Sequence, residues 1–93
     1  MTKVEVIDFY ADWCGPCKAM SPAIESLMES YSENEGVEIK KMNVDTNPEM
    51  AKEFNIRGIP TLVFMKDGVE AYRVSGVQSK AKIVEKIDEI LAN

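Results

Sequence analysis

The stretch VEVIDFY, Val4 to Tyr10, restricts the fold more than any other part of the chain. It is rich in β-branched and aromatic residues and apolar on both alternating faces, the pattern of a strand buried on its two sides. Helices must then cover the sheet to which this strand belongs. A chain of 93 residues can build one such core and not two, so residues 1–93 read as a single domain.

The remaining elements follow in order. From about Cys14 a helix is expected, with Met20, Ile24, Leu27 and Tyr31 spaced by four, three and four, and Lys18, Glu25 and Glu29 on other faces. Pro22 lies inside it and is expected to kink rather than end it, because the apolar spacing continues beyond. SENEG, Ser32 to Gly36, closes that helix, and VEIKKMNV, Val37 to Val44, reads as a second strand. NPEMAKEF is a short helix with Asn47 as N-cap, Pro48 at the first position and a Met50–Phe54 apolar pair. After the break NIRGIP, the strand TLVFM is joined through Asp67-Gly68 to VEAYRV, an antiparallel hairpin. From Ser79 the chain ends in an amphipathic helix presenting Ile83, Val84, Ile87, Ile90 and Leu91. The order β-α-β-α-β-β-α describes an α/β protein, a right-handed parallel βαβ unit followed by a hairpin. The six methionines, Met1 among them, read as core fillers.

Composition narrows the function. A formal net charge of −5, with no run of Lys and Arg, would repel a phosphate backbone and argues against nucleic acid as a partner. No apolar run approaches the roughly 18 residues of a membrane span. MTKVEVIDFYADW lacks the apolar core and cleavage site of a signal peptide, so a cytoplasmic protein is expected. The chain contains no histidine, which excludes a Cys-His nucleophile, a histidine base and a Cys/His zinc site.

Both cysteines lie in WCGPC, Trp13 to Cys17, between the first strand and the first helix. As a structural staple, so short a loop contributes only about 2 kcal/mol. As a metal site, the pair falls short of the usual set of about four ligands. As a redox pair, the spacing has a use. Residues i and i+3 in a first helical turn sit about 5 to 6 Å apart at Cβ, so the sulfurs can join and part with little backbone motion. Cys14 lies at the helix tip, where unsatisfied N–H groups favour its thiolate, while Cys17 is a turn deeper. Cys14 is expected to attack and Cys17 to resolve. Gly15 permits close approach of a partner's backbone, and Pro16 gives up a donor where the first turn has donors to spare.

Asp8 shares a strand face with Val4, Val6 and Tyr10, apolar company that would raise its pKa; the alternative is an exposed acid at a strand end. Lys41 shares parity with Val37 and Ile39, which fits either a stem laid over the core or an ordinary snorkelling lysine. Trp13 is a rim residue of the site or a packed aromatic.

DFYADWCGPCK, followed by Pro22, KMNVD, IRGIPT and the KDG hairpin, resembles the thioredoxin family in order and spacing over nearly the whole chain. The resemblance implies a minimal thioredoxin fold, a four-stranded mixed sheet flanked by three main helices. It implies a protein disulfide reductase in which Asp8 is proton acceptor and donor for Cys17, with Lys41 paired to Asp8. It makes Pro60 cis and faces it to the CGPC loop, with the backbone of Ile59 pairing with substrate as an added strand. Trp13, Gly15, Pro16, Ile59, Pro60, Ser75 and Gly76 would form the docking surface. The resemblance further implies a monomer with no metal and no bound cofactor. Electrons would come from a thioredoxin reductase, with NADPH or ferredoxin as ultimate donor, and go to proteins with disulfides. Two other readings share the residues: an oxidant or isomerase domain of the same fold, and a redox-independent binding module. Tyr10 stands where many members have tryptophan, and Ser75 where an apolar docking residue is usual. The sequence also begins almost at the central strand, without the β–α segment of longer members, so one sheet edge is expected to be less protected.

Overall fold

A computed structural model describes residues 2–93. Among these residues four strands and three helices follow in the order β1 (Val4–Tyr10), α1 (Gly15–Ser30), β2 (Val37–Asn43), α2 (Pro48–Glu53), β3 (Thr61–Lys66), β4 (Val69–Ser75) and α3 (Lys80–Ala92). They form one mixed sheet in the order β2-β1-β3-β4, with β1 parallel to β2 and antiparallel to β3. The expected architecture is the observed one.

The double-sided burial of β1 follows from its two apolar stripes. Val4 and Val6 face α1 and α3 in a core with Met20, Ile24, Leu27, Leu62, Phe64, Ile83 and Ile87. Ile7 and Phe9 face the opposite side with Val63, against Met50 and Phe54 at α2. Phe9 and Phe54 meet with ring centroids 5.4 Å apart. Asp8 continues the stripe begun by Val4 and Val6, so a carboxylate is carried into the helix-covered layer.

The hairpin turn uses the residues its geometry demands. Asp67 and Gly68 both have positive φ, at 50° and 84°, as a two-residue turn matching the twist of the strands requires. Asp67 also fastens the start of β1, because its Oδ1 accepts from the Lys3 N–H and its own N–H donates to the Lys3 carbonyl, both at 2.8 Å. β2 and β4 are the two edges. On β2, Lys40 pairs with Glu5 at 2.7 Å, and charged side chains of this kind discourage further strand pairing.

Three expectations are corrected in detail. Asn47 occupies the N-cap position of α2 without capping it: its side chain donates instead to the Asn43 carbonyl at 3.0 Å, within the turn that leads to the helix. Leu91 is 40% exposed, because α3 buries the narrower stripe Ile83, Ile87 and Ile90. The methionines divide: Met20 is in the core, Met42, Met50 and Met65 pack partly buried, Met28 is exposed, and Met1 lies outside the described residues. Pro22 stands inside α1 without ending it.

Candidate active site

The chain leaves the sheet at Tyr10, turns through Ala11–Trp13 and enters α1 with Cys14 as its N-cap. That position gives Cys14 Sγ the role a serine oxygen plays elsewhere, and it accepts the Cys17 N–H at 3.2 Å. Cys14 and Cys17 are joined in a disulfide with Cα atoms 5.2 Å apart. Each residue is only 4% exposed, whereas Trp13, Gly15 and Pro16 around them are open. A Cβ added to Gly15 would meet nothing within 4 Å, so a partner's backbone can approach the sulfurs there.

A second loop closes over the pair. The Ile59–Pro60 bond is cis, and the Ile59 carbonyl oxygen lies 3.9 Å from Cys14 Sγ. This loop is braced from behind. Thr61 Oγ1 donates to the Gly58 carbonyl at 2.6 Å, and with that proton committed it accepts from Ser75 Oγ at 3.0 Å. Gly76, at φ 91°, donates its N–H to the Pro60 carbonyl at 2.9 Å. Ser75, placed on the docking surface by the resemblance, thus turns its hydroxyl toward Thr61 and the loop. Trp13 is 69% exposed, and its Nε1 donates to Asp45 Oδ2 at 2.8 Å, which holds the indole at the rim.

Behind Cys17 lies a cavity of about 290 Å³ that Asp8 also lines. Asp8 is 2% exposed, and its Oδ1 has no hydrogen-bond partner. Burial pushes its carboxyl up to about 6, against a smaller downward pull from the Lys41 ammonium. Lys41 faces Asp8 in the β1–β2 register, yet among the described residues no ion pair joins them. Its Nζ donates instead to Ser21 Oγ at 3.3 Å and stands 4.7 Å from the Tyr10 ring centroid. The pairing implied by the resemblance is therefore one of proximity and charge, not of direct contact.

The structure brings every sequence-derived site residue to one end of the sheet. It adds Ser21, Asp45 and Thr61, which no spacing marks: Asp45 and Thr61 lie within the motifs KMNVD and IRGIPT, and Ser21 is an unremarkable helical position.

A disulfide at a helix N-cap, beneath a cis-proline loop and beside a buried carboxyl, defines a dithiol–disulfide oxidoreductase of α/β fold. Comparison with known proteins is more specific. The family model described as Thioredoxin matches residues 1–89. A thioredoxin of Chlamydia caviae is 41% identical over 88 residues, covering 95% of this chain and 83% of that one. A bifunctional thioredoxin reductase/thioredoxin of Mycobacterium leprae is 35% identical over 91 residues, 98% of this chain and 19% of that protein. The structure of Fasciola hepatica thioredoxin superposes with a TM-score of 0.82 at 39% identity, covering 94% of this chain and 80% of that one. The chain belongs to the thioredoxin family and is a protein-disulfide oxidoreductase. Among the described residues, no helix is long and apolar enough to cross a membrane.

Proposed function

We propose that Cys14 is the attacking sulfur and Cys17 the resolving one, in a cycle that reduces protein disulfides and is recharged by a thioredoxin reductase. The observation that carries this is the asymmetry of the pair: Cys14 is the N-cap beneath the Ile59–Pro60 loop, and Cys17 backs onto the cavity of the unpartnered Asp8. Cys14 thiolate attacks one substrate sulfur, the substrate S–S bond breaks, and the departing thiolate takes a proton from water. Cys17 then gives its proton to the Asp8 carboxylate and attacks Cys14 Sγ. The mixed disulfide breaks, the second substrate thiolate leaves and is protonated, and the Cys14–Cys17 disulfide seen here is formed. Two electrons have passed to the substrate.

Docking supplies the orientation. The open ground at Gly15, the exposed Trp13 and Pro16, and the Ile59–Pro60 loop beside the disulfide allow a substrate segment to lie there as an added strand. Ser75 and Gly76 act through the loop they brace. Lys41 assists by its charge near Asp8.

The electron source is read from the relative in which a thioredoxin reductase and a thioredoxin share one chain. In this reading NADPH is the ultimate donor, ferredoxin the alternative, and the cycle runs in a reducing compartment, the cytoplasm. The test is NADPH consumption with a thioredoxin reductase and a protein disulfide. Steady consumption that requires all components is expected. Turnover with dithiothreitol but none with an NADPH-linked or a ferredoxin-linked reductase would remove the assignment of the electron source.

A further inference from the structure

Asp8 and Lys41 face each other on adjacent strands, on the same side of the sheet, at Cα positions that are register partners. An isolated carboxylate and ammonium so placed would form an ion pair. Here they do not, and the reason lies on a third element. Ser21, half-buried on α1 one turn beyond Cys17, accepts from Lys41 Nζ at 3.3 Å and donates from the same oxygen to Glu25 Oε2 at 3.3 Å. Glu25 thereby fixes the direction of the hydroxyl, so that its lone pairs face the ammonium and its proton does not. The Tyr10 ring supplies the other wall, with its face toward the cation. The lysine is held between α1 and the ring, and Asp8 Oδ1 is left without a partner.

We infer that Ser21 is a positioning residue: tied to Glu25, its hydroxyl keeps the Lys41 ammonium on the Tyr10 ring and off the Asp8 carboxyl, which leaves Asp8 free to exchange a proton with Cys17. This rests on the proton role given to Asp8 above. The other titratable groups lining the same cavity are Tyr10 at the end of β1, Asp12 in the loop before α1 and Lys18 on α1, and Glu25 joins the network through Ser21; Cys17 is held in the disulfide of the oxidised protein and does not titrate. From β3 the register partner of Asp8 is the apolar Leu62, and the α3 side chains in this core are apolar. Replacing Ser21 also releases Glu25, so a Lys41→Met background is what assigns a response to Lys41.

The test follows the Asp8 carboxyl by a carbon NMR titration of the oxidised protein, in the parent and in Ser21→Ala. Without the tether Lys41 reaches Asp8, and the titration midpoint is expected to fall by about one pH unit, the lower end of the effect of a close opposite charge. In a Lys41→Met background the same Ser21→Ala change is expected to leave the midpoint where that background puts it, because there is no ammonium to release. Ser21→Thr, which keeps a hydroxyl, is expected to retain the parental midpoint. A midpoint unmoved by Ser21→Ala would overturn the inference, and so would an equal shift in the absence of Lys41. The proton role of Asp8 is decided separately, by the dependence of disulfide reduction on pH. If Asp8→Asn keeps the parental pH profile, that role falls, while the titration still decides whether Ser21 holds Lys41.

Discussion

Replacing Cys14 by serine is expected to reduce turnover of a protein disulfide with dithiothreitol to the rate of dithiothreitol alone. The N-cap geometry is the reason. Cys14 Sγ receives the Cys17 N–H and lies at the positive end of α1, an environment that favours a sulfur anion. A serine there would cap the helix well but would remain a neutral alcohol at any pH the protein survives. The variant should therefore fold, and a stability measurement beside the assay separates loss of chemistry from loss of structure. Turnover equal to the parent would show that attack does not begin at Cys14.

Asp8→Asn is expected to have opposite effects on stability and on catalysis. The Asp8 carboxyl is raised from 3.8 to about 6 by burial, with Lys41 opposing. Between those two pH values the native chain holds a proton that the unfolded chain has released, so stability falls as pH rises through that window. Above about pH 6 the loss is complete, and two pKa units correspond to about 3 kcal/mol. The amide removes the titration and should stabilise the protein at pH 7 by up to that amount, a rise in Tm of up to roughly 20 °C for a domain of this size. Below pH 3.8, where both states carry the proton, the gain should vanish. Disulfide reduction should slow, because Cys17 loses its acceptor, and the inflection that Asp8 contributes should disappear from the rate profile. Melting curves at pH 7 and at pH 3.5 check the first part; equal Tm differences at the two values would mean that Asp8 is not held at a raised pKa.

Much of the fold was legible in the sequence because it depends on periodicity and on turn chemistry. Val4 and Val6 against Ile7 and Phe9 announce a strand covered on both sides, and Asp67-Gly68 announces the hairpin. The burial of Asp8 was legible for the same reason, since alternation places it in line with Val4 and Val6. Contacts between side chains of different elements were not. The tether of Lys41 to Ser21 depends on how α1 crosses the β1–β2 pair, and the Ser75–Thr61–Gly58 chain depends on the path of a loop that has no periodic pattern. The same limit applies to Trp13 and Asp45, which meet only after β2 is laid beside β1. Leu91 shows the converse. It has the right spacing for the apolar face of α3, but the buried stripe of that helix is only Ile83, Ile87 and Ile90, and Leu91 lies at its exposed margin.

The unequal roles of the two cysteines are tested most directly by a trapping experiment. In Cys17→Ser the mixed disulfide has no internal sulfur to resolve it, so incubation with a protein disulfide is expected to yield a covalent adduct on Cys14 that dithiothreitol releases. Peptide mapping by mass spectrometry locates the bond. An adduct on Cys14 in this variant, and little or none on Cys17 in Cys14→Ser, is the predicted result; adducts of equal yield on both, or a Cys14 thiol left free, would contradict the account.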